Sequence, residues 1–179
     1  MPEKKNILEL TRISLDEYRR MEKLPFRLMA DNVRSGQNIG AMLRTSDAMK
    51  VREVIMAGIS PVPPGSEISK TALGAEDSVS WRYVEDGVEE VRRLKAAGVR
   101  IYVLEQAHGS VALQRLPEVA VPHEEVLIVA GNEVNGVDQR IVDLADVILE
   151  IPMEGIKHSL NVSVSVGLVL WEFYKLYLP

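Results

Sequence analysis

The stretch Val126-Leu-Ile-Val-Ala-Gly-Asn-Glu-Val-Asn-Gly136 decides the fold. Its first five residues form an unbroken apolar run, the pattern of a strand covered on both faces. The glycine- and asparagine-rich remainder cannot continue a strand and reads as the loop at its end. A doubly covered strand belongs to a parallel sheet with helices on both sides.

The flanking sequence fits that reading. Upstream, Arg27–Asp31 predicts a short strand, 36–50 a helix and Glu53–Ala57 a second strand. Three prolines in Ser60–Ser66 make that segment a loop, because proline cannot donate to a ladder. A further strand is expected over Ser80–Val84. Asp86 then caps a helix that Gly98 closes, with Val88, Val91 and Leu94 on its apolar face. Val99–Leu104 is the next strand. Downstream, Asp138–Ala145 predicts a helix and Val147–Ile151 a strand. The segment Leu160–Leu178 alternates apolar and small residues like a strand, yet it is too long for one. It is read as a buried helix whose serines and glycine permit close packing. Strands alternating with helices give an α/β fold with a mostly parallel sheet.

The 179 residues suit one domain, and 46% hydrophobic with 26% charged residues is a globular composition. The absence of cysteine excludes disulfides, iron–sulfur clusters, thiolate zinc and a cysteine nucleophile. His108, His123 and His158 lie in different loops without paired ligand spacing, so no metal site is expected. Met1–Leu10 is too polar for a signal peptide and no 18-residue apolar run occurs. A cytoplasmic protein without membrane contact is expected. The formal charge of −5 argues against coating nucleic acid by bulk charge. Residues 1–34, however, hold eight bases and six acids (Lys4, Lys5, Arg12, Arg19, Arg20, Lys23, Arg27 and Arg34 being the bases). Ser14-Leu-Asp-Glu17 has capping-box spacing and predicts a short helix presenting Arg19, Arg20 and Lys23 to solvent.

Three polar stretches sit where strands should end: Asp31–Arg44, Gly131–Gly136, and Ile151-Pro-Met153 with Ser159-Leu-Asn-Val162. Ligands of open α/β sheets bind beyond the carboxyl ends of strands, so the three suggest one site. None matches a Walker or dinucleotide loop. Glu133 is either a helix-cap anion or a functional acid. Asp138 already supplies the next cap, which favours function. Arg44 is either a snorkelling surface arginine or a phosphate or ribose contact.

Taken together, the three stretches resemble the three motifs of the SpoU (TrmH) branch of the SPOUT RNA methyltransferases. Asn38-Ile-Gly-Ala-Met-Leu-Arg44 is similar to the first motif, Gly131–Gly136 to the second, and Ile151-Pro-Met153 with Ser159–Val162 to the third. The resemblance implies a C-terminal trefoil knot, S-adenosylmethionine as cofactor, homodimers, and methyl transfer to a ribose 2′-hydroxyl of tRNA or rRNA. It divides the chain into a short basic extension, residues 1–25, and a catalytic domain, residues 26–179. It assigns Gly131, Ile151 and Leu160 to the cofactor pocket with Leu104 and Met153 nearby. Arg44, Asn38, Glu133, Ser159 and Asn161 take the active-site positions. The family proposal makes the position of Arg44 the proton acceptor. A guanidinium stays protonated, so a clamp on phosphate and ribose is the alternative. In that case Glu133 orients Arg44 or Asn161. The rival readings are the same fold acting on a non-RNA substrate, and a non-catalytic RNA-binding protein.

Overall fold

The computed structural model describes residues 2–6, 9 and 13–178. Arg12 of the amino-terminal basic set, and Pro179 at the end of the expected catalytic domain, lie outside the described residues. Among the described residues, seven strands form one sheet: β1 (Leu24–Asp31), β2 (Val51–Ala57), β3 (Trp81–Val84), β4 (Arg100–Leu104), β5 (Val111–Ala112), β6 (Val126–Ala130) and β7 (Val147–Glu150). Their spatial order is β3-β2-β1-β6-β4-β7-β5, and every pairing is parallel. The chain builds outward from β1 to β3 and then crosses to the other half. The switch in strand order therefore falls at the centre, beside β1 and β6. There Ala30 pairs with Ala130, and Ala130 with Leu104.

All five residues of β6 are buried, as the apolar run requires. Its two faces feed two cores. On one face Phe26, Leu28, Tyr102, Ile128 and Leu149 pack with α2 (Gly36–Ala48) and α8 (Val162–Lys175). On the other, Met29, Ile55, Ile101, Leu127 and Val129 pack with Val88, Val91 and Leu94 of α5 (Gly87–Ala96) and Ile141 of α7 (Gln139–Val142). The expected caps form. Ser14 and Glu17 make a capping box on α1 (Leu15–Arg20), and Asp86 accepts from Glu89 N.

Differences from the sequence reading have local causes. β1 starts at Leu24, earlier than Arg27, and its register with β2 shifts between Leu24 and Arg27, around Pro25, which has no N–H to donate. The helix read over Asp138–Ala145 is cut to α7, because Asp146 accepts from Ile101 N and already belongs to the entry into β7. The carboxy-terminal helix runs over Val162–Lys175, shorter than Leu160–Leu178, since Asn161 caps it. Nor is it buried all round. Val166, Val169, Leu170 and Phe173 are covered, whereas Val164, Leu168 and Trp171 are exposed on the opposite side. Sequence reading gave no elements for α3 (Ser66–Ala72), α4 (Ala75–Ser78), β5, the 3₁₀ turn Leu113–Arg115 or α6 (Leu116–Val119), all too short for a periodic signal.

The amino-terminal cations are less free than expected. Arg20 is exposed, but Arg19 donates to the Asp77 carbonyl at 3.1 and 2.6 Å. The Lys23 ammonium sits 3.0 Å from the Tyr18 ring centroid, and Arg27 pairs with Glu125 at 2.6 Å.

α2 crosses α3 at Gly40, where an added Cβ would lie 2.2 Å from both the Ile68 carbonyl oxygen and Thr71 Oγ1. Gly40→Ala is expected to destabilise the protein by about 1–3 kcal/mol, lowering Tm by several degrees in calorimetry. An unchanged Tm would contradict this close crossing.

Candidate active site

The loops after β1, β4, β6 and β7 emerge side by side at the carboxyl edge of the sheet. Glu133, in the loop after β6, faces the start of α2. Its carboxylate accepts from Arg34 N at 3.0 Å, Ser35 N at 3.2 Å and Asn38 Nδ2 at 2.9 Å. The Asn38 amide oxygen in turn accepts from Asn161 Nδ2 at 3.1 Å. The Asn161 oxygen caps α8, accepting from Ser163 N at 2.9 Å and Ser163 Oγ at 2.6 Å. One relay of side chains thus joins all three motif loops. Asn38 is only 8% exposed, so its amide is fixed between its two partners.

Partial burial pushes the Glu133 carboxyl up, but the N–H groups of Arg34, Ser35 and Glu133 itself and the Asn38 amide outweigh it and hold it below its ordinary value. A depressed folded-state value contributes stability above the unfolded-state value and loses it as pH falls through the folded one. The Tm advantage of the wild type over Glu133→Gln should therefore be full at neutral pH and shrink on acidification. An advantage that does not change with pH would place the effect elsewhere.

The loop 131–136 is itself braced. Asn132 donates to the Asn32 carbonyl at 2.8 Å and accepts from Val134 N at 2.8 Å and Asn135 N at 3.1 Å. The main chains of Asn132 and Gly136 exchange two hydrogen bonds. A Cβ on Gly131 would lie 2.3 Å from Gly136 C and Val137 N. Gly136 has φ +69, and a Cβ there would come within 2.2 Å of Glu105 Oε2. Gly131 is thus required by close approach to main chain, and Gly136 by its left-handed backbone.

These loops enclose a cleft of about 670 Å³, within the usual range for small-ligand sites. Gly131, Ile151, Leu160, Leu104 and Met153 all line it, as do Glu133, Ser159 and Asn161. Asn38 stands just behind through its bond to Asn161. Arg44 is not brought in. It lies about 9 Å further along α2 and about 120° round it from Asn38. Its side chain is exposed, and its guanidinium makes no hydrogen bond or ion pair with a described residue. Glu133 therefore orients Asn161 through Asn38 and does not touch Arg44.

Sequence reasoning missed Glu105, Gln106, Glu150 and Ser165, which also line the cleft. Glu105 and Gln106 directly follow β4, so the strand-end rule would have found them. The three histidines are exposed, but His158 stands at the cleft and its carbonyl accepts from Gln106 Nε2 at 2.6 Å. Among the described residues, three carboxylates and no lysine or arginine line the cleft. Such a lining suits a cationic ligand rich in donors and disfavours a phosphate. Among the described residues, no group of three or more His, Asp or Glu could hold a metal ion, and no helix is long and apolar enough to cross a membrane.

Three loops joined by one relay around such a cleft are the arrangement that the motifs imply, and the SpoU rRNA Methylase family model matches residues 25–171. The chain belongs to the SpoU rRNA methylase family. Among similar SpoU proteins is the 23S rRNA (guanosine-2′-O-)-methyltransferase RlmB of Neisseria meningitidis serogroup B. It is 33% identical over 88% of this chain and 61% of its own length. The chain spans about two thirds or less of the length of the first curated relatives it matches. The crystal structure of the Aquifex aeolicus TrmH/SpoU tRNA modifying enzyme superposes with TM-score 0.78 at 28% identity, covering 90% of this chain and 79% of that one. The SpoU methyltransferase AviRb of Streptomyces viridochromogenes, solved with the cofactor AdoMet, gives 0.71 at 25% identity, covering 90% and 64%.

Proposed function

We propose that this SpoU family member transfers a methyl group from S-adenosylmethionine to a ribose 2′-hydroxyl of tRNA or rRNA. The observation that carries the reading is the glycine-cradled cleft lined by carboxylates and by no lysine or arginine among the described residues. When bound, S-adenosylmethionine supplies an electrophilic methyl on a positively charged sulfur. The relatives act on rRNA or tRNA by name, and one is solved with AdoMet.

Gly131, Ile151 and Leu160 would hold the cofactor through main-chain groups, with Leu104 and Met153 beside them. The Glu133–Asn38–Asn161 relay fixes the loops so that Ser159 and Asn161 meet the substrate in one orientation. Positioning of this kind is worth about 7–11 kcal/mol of barrier. Arg44 clamps the phosphate and ribose; as a permanent cation it does not take the 2′-hydroxyl proton, which passes to solvent or a neighbouring group as the methyl leaves the sulfur.

Two features support a homodimer. Val164, Leu168 and Trp171 form an exposed apolar stripe on α8. Arg44, exposed on the neighbouring α2, has no hydrogen-bond or ion-pair partner among the described residues. A second copy seated on the stripe would cover it and deliver its Arg44 to the cleft. We also propose that the chain beyond β6 is threaded as a trefoil knot. This is supported by β7 lying in the sheet between β4 and β5, two strands that precede it in the chain. Residues 26–179 are taken as the methyltransferase domain, acting in the cytoplasm.

The cofactor assignment is tested by calorimetry with S-adenosylmethionine and ATP. Binding of the first and not the second is expected. Preference for ATP would overturn the reading. RNA affinity should fall steeply with salt through Arg34, Arg44 and Arg20, by a log–log slope of about −0.7 to −0.9 per neutralised phosphate. A flat salt response would exclude this surface.

A further inference from the structure

Glu105 has no role in the scheme above, yet its carboxylate is held in the cleft by two main-chain N–H groups. Its own N–H donates to the Leu149 carbonyl at 3.0 Å, anchoring its main chain on β7. Its side chain turns back under the loop after β6. Oε2 accepts from Val137 N at 2.9 Å, and Oε1 accepts from Gln106 N at 2.9 Å. Gly136 leaves room for this, since any Cβ there would collide with Oε2. Glu105 forms no ion pair with a described residue. A carboxylate has about four lone-pair sites, so each oxygen keeps acceptor capacity after these two bonds. The result is a half-buried, two-pronged acceptor with both oxygens fixed and no counter-charge.

Two adjacent acceptors of this kind match two adjacent hydroxyl donors. Resting on the cofactor reading above, we propose that Glu105 binds the vicinal 2′,3′-diol of the cofactor's own ribose and so selects a ribonucleoside cofactor. Placement agrees with this. Glu105 follows Leu104 directly and shares the cleft with Ile151 and Leu160 of the proposed cofactor seat. Carboxylates at strand ends bind ribose hydroxyls in the same way in dinucleotide folds. A point-charge ammonium would make no use of the paired geometry.

Calorimetry separates the possibilities. The ligands are S-adenosylhomocysteine, 5′-methylthioadenosine, which keeps the diol but lacks the amino-acid ammonium, and the 2′,3′-dideoxy analogue of methylthioadenosine. The wild type should bind the dideoxy analogue at least tenfold more weakly than methylthioadenosine. Glu105→Gln should weaken both diol ligands by a similar factor and leave the dideoxy analogue unaffected. Equal weakening of all three ligands would make Glu105 merely structural and overturn the proposal. Weakening of S-adenosylhomocysteine alone would assign Glu105 to the ammonium and also overturn it. The wild-type comparison stands even where the variant folds poorly: equal wild-type affinity for the diol and dideoxy ligands overturns the proposal. Failure of the wild type to bind S-adenosylhomocysteine at all would instead remove the cofactor reading itself.

Discussion

Arg44→Ala is expected to lose methyl transfer by about 10²–10³-fold, the usual cost of removing one hydrogen-bond donor from a transition state. Cofactor affinity should stay at the wild-type value, because Arg44 does not line the cleft. The side chain is exposed and makes no contact that the fold depends on, so Tm should hardly change. A second measurement places the residue. Arg44→Ala is mixed with a Gly131→Ala variant, each inactive alone, under conditions where subunits exchange. If Arg44 serves the cleft of the other copy, the mixed dimer contains one intact site and activity returns. If it serves its own cleft, no combination restores a complete site. Near-normal activity of Arg44→Ala alone would remove it from catalysis altogether.

Gly131→Ala is expected to weaken cofactor binding strongly in calorimetry. The new methyl would lie 2.3 Å from the Gly136 carbon and the Val137 nitrogen, so main chain must move and no flexible side chain can give way. Overpacking of this kind costs about 1–3 kcal/mol. Here the displacement falls on the loop that shapes the cleft, so at least about tenfold to a hundredfold in affinity should follow at 1.4 kcal/mol per decade. The Glu133–Asn38 bond would stretch with it. Retained affinity would mean that the 131–136 loop does not form the cofactor seat.

The centre of the sheet was readable because β1, β2 and β6 are largely apolar runs ended by Asp31, Gly58 and Gly131. Val126–Ala130 showed that both faces are covered, and the paired cores show why. The short elements were not readable. β5 has two residues and α4 has four, and neither length can carry a period. α8 was readable as a helix by length. Its exposed stripe was not, since Val164, Leu168 and Trp171 are as apolar as the covered Val166 and Val169. Apolar character alone cannot say which face meets the sheet.

The site was legible in its parts. Each motif loop could be placed at a strand end, and the cleft lies where those loops meet. The joining of Glu133 to Asn38 and of Asn38 to Asn161 could not be read, because it depends on side chains 95 and 123 positions apart. The basic patch was overestimated for a similar reason. A count of charges does not show that Arg27 is held by Glu125 and Arg19 by a carbonyl.

The central claim is ribose methylation of RNA, and mapping 2′-O-methyl groups tests it most directly. Total RNA from cells lacking the gene is compared with RNA from the parent strain, then treated with purified protein and S-adenosylmethionine. The account predicts a 2′-O-methyl nucleotide in tRNA or rRNA that is missing without the gene and restored by the wild-type protein but not by Arg44→Ala. A protein that binds the cofactor yet restores no ribose methylation in either RNA would contradict it.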